Sequence, residues 1–203
     1  MGKKSEQTYE KILDASLSSL SKYGDRGTTF QTIADIAGVS QPLVSKYFKT
    51  REAVLPIVIE KYLGEVRDLT SLELKKKKKA KDQLKRYLSF TISFYRKNPD
   101  LFKIYLLLQY QAGFDEEYLK INTQRKNLAT ERIKKIIDLG IKNKEFVGCR
   151  SAVVAKVIHS SLVGLIISMT TEKLECSDNQ LLKILNDLVM NYLRQPQANN
   201  FNN

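Results

Sequence analysis

The chain has 203 residues, 42% of them hydrophobic, enough for one large domain or a small domain joined to a medium one, with a sizeable core. Lys and Arg number 34 against 22 Asp and Glu, a formal charge of +12, which favours a polyanionic partner such as nucleic acid or an anionic membrane surface. Cys149 and Cys176 lack CxxC spacing and make no disulfide framework, so a reducing cytoplasm is the simpler setting. The opening MGKKSEQTYE has no apolar run, and the most apolar stretch, Ala152 to Met169, is interrupted by Lys156, His159, Ser160, Ser161 and Ser168. Neither a signal peptide nor a transmembrane helix is expected. His159 is the only histidine, which argues against a histidine-based metal site. HExxH, ExxH, a glycine-rich phosphate loop and a nucleophile–base set are all missing, so no catalytic residue and no cofactor is expected.

Apolar residues recur every three or four positions almost throughout, which predicts an all-α protein of about nine helices. Ile12, Ala15, Leu20 and Tyr23 mark a first helix over roughly residues 6 to 22, ended by Gly24 and Gly27. Thr28 and Thr29 offer caps for a short second helix, with Gln31 in capping-box register to Thr28. Gly38 stops that helix, and Ser40 caps a third, from about Gln41 to Phe48, with Pro42 in its first turn. Thr50 is placed to cap a fourth, with Glu52 in its first turn. Helices over 81 to 97, 100 to 111, 115 to 139, 149 to 172 and 178 to 194 follow. The polar tail QPQANNFNN is expected to be disordered. The domains expected are residues 1–55, 56–194 and the tail 195–203.

Two short capped helices flanking a glycine turn, with another helix directly after, are the pattern of a helix-turn-helix. Ile33, Ile36, Val39, Val44 and Phe48 are expected to pack these helices together, leaving the outer face of the second short helix free to enter a major groove. Gln41, Ser45, Lys46 and Tyr47 are the candidates for that face. A glutamine can bond bidentately to adenine, a lysine can meet guanine or phosphate, and Pro42 offers an apolar edge to a thymine methyl. Thr29, Tyr47, Lys49, Thr50 and Arg51 are candidates for holding the phosphate backbone. A solvated helix face is the plainer alternative for any one of them.

Ile33-Ala34-Asp35-Ile36-Ala37-Gly38-Val39-Ser40, followed by Tyr47-Phe48-Lys49-Thr50-Arg51-Glu52, resembles the signature of the TetR family of bacterial regulators. The resemblance implies a three-helix DNA-binding domain over residues 1 to about 50, then an all-helical ligand-binding and dimerisation domain whose last two long helices form the dimer interface. It also implies that Gln41 and Pro42 read bases and that Gln31 contacts one. Leu43, Val44 and Ser45 depart from the family's usual threonine, leucine and phosphate-binding tyrosine, and Tyr47 could supply the replacement hydroxyl. The function implied is that of a ligand-responsive repressor, cytoplasmic and homodimeric, on a palindromic DNA operator. A small-molecule effector is implied with it, and no membrane partner.

The helix over 149 to 172 is apolar nearly all round and so needs partners on two faces. Ile158, Leu162, Leu165 and Met169 of that helix, with Leu181, Leu185 and Leu188 of the last, are the expected dimer contacts. Tyr87, Phe90, Phe94, Tyr95, Phe102, Tyr105 and Tyr110 could line an effector pocket or fill an ordinary core. The run Lys75 to Lys79 would lie roughly 37 Å along a continuous helix from Thr50 and reads as a solvated helix end or loop, with weak non-specific attraction for phosphates or lipid head groups as the alternative. It keeps open a rival function, a non-specific charge-driven binder of nucleic acid or membrane surfaces.

Overall fold

The computed structural model describes residues 3–172 and 175–195; the disordered tail expected over 195–203 lies, apart from Gln195, outside the described residues. Among the described residues the chain is helical, with nine helices and no strand. They are α1 (Lys3–Gly27), α2 (Phe30–Ala37), α3 (Gln41–Phe48), α4 (Val54–Lys75), α5 (Ala80–Lys97), α6 (Pro99–Gln111), α7 (Glu116–Lys142), α8 (Ser151–Thr171) and α9 (Asp178–Arg194). They form two compact units, residues 1–67 with 98–122, and residues 68–97 with 123–203. These units are drawn differently from the domains 1–55 and 56–194 read from the sequence.

In the first unit α1 packs against α2 and α6, and α2 against α3. One apolar core gathers Ile12, Leu13 and Leu20 of α1, Ile33 of α2, Val44 and Phe48 of α3, Leu55 and Ile59 of α4, and Ile104 and Leu108 of α6. That shared core is the reason α6 joins this unit. Burying each such side chain stabilises by about 1.5–3 kcal/mol before entropy is counted. The first half of α4 is also tied to α1 by polar contacts. Lys61 Nζ meets Glu10 Oε2 at 2.8 Å, and the Tyr62 hydroxyl donates to Asp14. Burial, with help from that carboxylate, raises the Tyr62 pKa.

Two elements have other bounds than the sequence suggests. Helix α1 runs on to Gly27, past a kink at Gly24. Helix α4 begins at Val54, after a turn over residues 50–53 in which Val54 N–H donates to Arg51 C=O at 3.1 Å. Pro56 has no N–H to give and fits only the first turn of a helix, so Thr50 is not its cap and Glu52 lies outside it. Ile36, expected in the core, is 45% exposed.

In the second unit α5 packs against α8 and α9. Arg96 Nη1 donates to Met169 C=O at 3.0 Å, and its Nε lies 3.1 Å from Asp178 Oδ2. Ser177 and Gln180 close a reciprocal capping box at the start of α9. By length and composition α8 is long and apolar enough to cross a membrane, where no such stretch is expected from the sequence. Packing within the unit accounts for one of its faces, where Val154, Ala155, Ile158, Leu162, Ile166 and Met169 are buried, while Val153 and Val157 stay exposed.

Candidate nucleic-acid interface

The helix-turn-helix is made by local chemistry. Thr29, not Thr28, caps α2: its hydroxyl accepts from Thr32 N–H at 3.1 Å, and the Thr32 hydroxyl accepts from Thr29 N–H at 2.9 Å. Thr28 is buried instead, donating to Gly24 C=O at 2.8 Å. Gly38 ends α2 in the left-handed region (φ 59°, ψ 45°), where glycine carries no Cβ penalty. Ser40 starts α3 through its backbone carbonyl, which accepts from Leu43 N–H at 3.0 Å, while its side chain makes no capping bond.

Helix α3 is split by polarity. Val44 and Phe48 point into the core, while Gln41, Pro42 and Lys46 are exposed, followed by Lys49 and Thr50. Ser45 is half-buried, its hydroxyl donating to Pro42 C=O at 3.0 Å. Exposed Gln31 donates through Nε2 to Asp35 Oδ1 at 2.6 Å, an i, i+4 pairing that orients its amide. Thr29 is exposed beside it.

Two candidates are engaged within the unit. The half-buried Tyr47 hydroxyl donates to Ser5 C=O at 3.2 Å, and its ring lies 5.1 Å from that of Tyr9, so the last turn of α3 is held on the first turns of α1. Arg51 Nη1 donates to Asp25 C=O at 2.8 Å and lies 3.5 Å from Asp25 Oδ1, with Nε 3.4 Å from Glu52. The other Asp25 carboxylate oxygen accepts from Gln111 Nε2 of α6 at 3.2 Å.

The sequence did not disclose the backbone of Lys49, which has φ 63° and ψ −53°. Thr50 N–H donates to Phe48 C=O at 2.8 Å across it, a tight γ-turn that is rare and strained for a residue with a Cβ. A glycine or asparagine there would have signalled it; a lysine does not.

The expected dimer contacts divide. Ile158, Leu162, Met169 and Leu185 are buried within their own unit. Leu165 and Leu181 are half-buried, and Leu188 is 64% exposed. Val153, Val157, Ile184 and Tyr192 are the other large apolar side chains that α8 and α9 leave in solvent. The aromatic set also divides: Tyr87, Phe90, Phe94 and Tyr95 are in the second unit, and Phe102, Tyr105 and Tyr110 in the first. Tyr110 is exposed, against Phe114. In the second unit a surface groove of about 640 Å³ runs between α7 and α8, lined by Asn127, Leu128, Lys134, Ala152 and Lys156 among others. No cluster of potential metal ligands occurs among the described residues.

Residues 12–56 match the sequence profile of bacterial regulatory proteins of the tetR family. No curated protein matches the chain. Among solved structures it is similar to the transcriptional regulator FadR from Bacillus subtilis, in complex with stearoyl-CoA, with 19% identity, 92% of this chain and 100% of that one covered, and a TM-score of 0.80. It is similar as well to a TetR transcription regulator from Haloarcula marismortui, with 20% identity, 93% and 97% coverage, and a TM-score of 0.79. The fatty acid degradation regulator FadR from Bacillus halodurans gives 17% identity, 92% and 100% coverage, and again a TM-score of 0.79. Residues 12–56 thus form a helix-turn-helix that matches the tetR profile, on a fold that nearly the whole chain shares with these transcriptional regulators.

Proposed function

We propose that the chain works in the cytoplasm as a ligand-responsive repressor, binding a palindromic operator as a homodimer with one α3 in each half-site. The observation that carries this reading is the two-sided α3: with Val44 and Phe48 buried, Gln41, Pro42 and Lys46 form a free polar face of the kind that enters a major groove. Gln41 reads a base, Pro42 packs on a thymine methyl, and Gln31, oriented by Asp35, contacts a neighbouring base or its backbone. Thr29, Ser45, Lys46, Lys49 and Thr50 hold phosphates. Tyr47 and Arg51 serve the same interface by fixing α3 and the start of α4 against α1.

Residues 1–55 are the DNA-binding domain in this reading, and 56–194 the effector and dimerisation domain. Leu165, Leu181 and Leu188 meet the symmetry mate on the face that also exposes Val153, Val157, Ile184 and Tyr192, and the two-fold axis dictates a palindrome. A small molecule acts through the second unit; that such folds take small ligands is supported by the FadR neighbour in complex with stearoyl-CoA. The α7–α8 groove, about 640 Å³, is within the size range of small-ligand sites. The effector must discriminate the two states by about 1–3 kcal/mol.

The test is selection of duplexes from a random library at near-physiological salt, then competition of the winner against bulk DNA. An inverted repeat held at least about a thousandfold more tightly is the expected result. Gln41→Ala should then relax preference at one base pair. Enrichment of no motif, with salt-sensitive binding to every duplex, overturns the reading.

A further inference from the structure

The second unit carries a concentrated basic surface of its own. Helix α4 ends at Lys75, and Lys76–Lys79 form the turn into α5, all five lysines exposed. The turn is held in place: Lys77 N–H donates to Leu74 C=O at 3.1 Å, Gln83 Nε2 donates to Lys77 C=O at 3.0 Å, and Gln83 N–H to Lys79 C=O at 3.0 Å. A second basic segment is fastened beside it. Glu145, in the α7–α8 loop, accepts from the first amides of α5, Ala80 N–H at 3.1 Å and Lys81 N–H at 3.2 Å. Exposed Lys142 and Lys144 stand immediately before Glu145, so both lysine groups lie at the same end of the unit. The Phe146 ring anchors that loop by resting where a Cβ on Gly140 would come within 2.1 Å of it.

Two of the nearby carboxylates are already engaged, while Asp82 in the first turn of α5 is a further acid beside the run. Glu145 is committed to the α5 amides, and Glu73 to Lys76 and Arg86. Among the described residues Lys75, Lys77, Lys78 and Lys79 have no acidic partner. Leu74 and Ala80, which flank the run directly, are buried, so the run itself presents ammonium groups and no apolar side chain. Lysines act as point charges that suit phosphates and read no sequence.

We propose that Lys75–Lys79 with Lys142 and Lys144 form a second, sequence-independent surface for the phosphate backbone of double-stranded DNA, separate from the helix-turn-helix. A chain held by its operator meets other DNA at high local concentration, and the patch converts that proximity into additional phosphate contacts. The competing occupant is an anionic bilayer, for which exposed Leu69 and Leu72, earlier in α4, could supply the insertion.

The experiment measures the salt dependence of binding to an unrelated 40-base-pair duplex, and to vesicles containing phosphatidylserine, for full-length chains. The patch variant carries glutamine at each of Lys75–Lys79. A loop variant carries Lys142→Gln with Lys144→Asn, asparagine being suited to the positive φ of 59° at that position. A third variant, Gln41→Ala with Lys46→Ala, disables the reading helix.

We expect the patch variant to lose about three to five from the slope of log K against log salt, at about 0.9 per phosphate, and the loop variant about one to two. Circular dichroism should show both variants folded. The reading-helix variant should keep the patch's share of the slope. That share would persist even if library selection found no operator, which separates this proposal from the repressor reading. An unchanged slope in the folded patch variant overturns the proposal. So does vesicle binding that the patch variant abolishes while duplex binding stays intact.

Discussion

Helices α3 and α8 solve the same problem with different amounts of information. In α3, polarity decides orientation: Val44 and Phe48 go in, and Gln41, Pro42 and Lys46 stay out. In α8, Val153 and Val157 are 49% and 60% exposed while the equally apolar Ile158 and Leu162 are 2% and 1% exposed. Hydrophobicity announces that such a helix needs partners on several sides. It does not say which side the chain's own core takes.

The largest expected effect sharpens this contrast within the second unit. Leu162→Ala should remove about 2–5 kcal/mol of stability, read as an early denaturation midpoint. Leu188→Glu should leave the midpoint of the isolated chain nearly unchanged yet drive the dimer to monomer in sedimentation, with loss of operator binding. If Leu188→Glu remains dimeric, the exposed face of α8 and α9 is not the interface.

Arg51→Ala comes next. It removes a charge-assisted bond to Asp25 C=O and leaves Asp25 with Gln111. At a side chain 36% exposed, the expected cost is about 1 kcal/mol after allowance for solvent screening. Operator affinity should fall equally for all sequences, because α3 keeps its face and loses part of its mounting. A change of base preference in that variant would make Arg51 a reader.

Lys49→Gly should separate mounting from contact. Glycine takes φ 63° without the Cβ penalty, so thermal stability should hold or rise by up to about 1 kcal/mol while DNA affinity and its salt slope fall. A lower midpoint would mean that the γ-turn is not strained.

The smallest effect concerns pH. Burial, aided by the Lys126 charge, lowers the pKa of His159, and its Nε2 has no partner. The unfolded chain therefore binds the proton more readily. Stability should decline as pH falls below about 6.5, the unperturbed histidine value. His159→Gln should flatten that part of the profile, measured by urea denaturation between pH 7.5 and pH 5 (about the range in which histidine titrates).

Much of the helix-turn-helix was legible because its signals are local. Gly38, Pro42 and the alternation of faces in α3 each fix the backbone within a few residues. Gln31 reads as a capping-box partner of Thr28, whereas it bonds Asp35 four residues on. What escaped depended on distant partners or unmarked strain. Tyr47 reads as a groove-facing hydroxyl until Ser5 and Tyr9 are seen beside it. Arg51 reads as a free cation until Asp25 takes it, and the start of α4 was misplaced because Thr50 makes a plausible cap. The inclusion of α6 in the reading unit rests on Ile104 and Leu108, which no short pattern distinguishes from any other buried pair.

The kink at Gly24 bears on how this helix-turn-helix could be redesigned. Its φ of 69° with ψ of −176° falls in a region that only glycine occupies readily, and it redirects the last turn of α1, where Asp25 receives Arg51 and Gln111. A mutant library aimed at new operators can therefore randomise Gln41, Pro42 and Lys46 with little loss of folded clones. One that includes position 24 should collapse almost entirely to the parental codon, leaving an achiral residue as the least negotiable letter in the reading head.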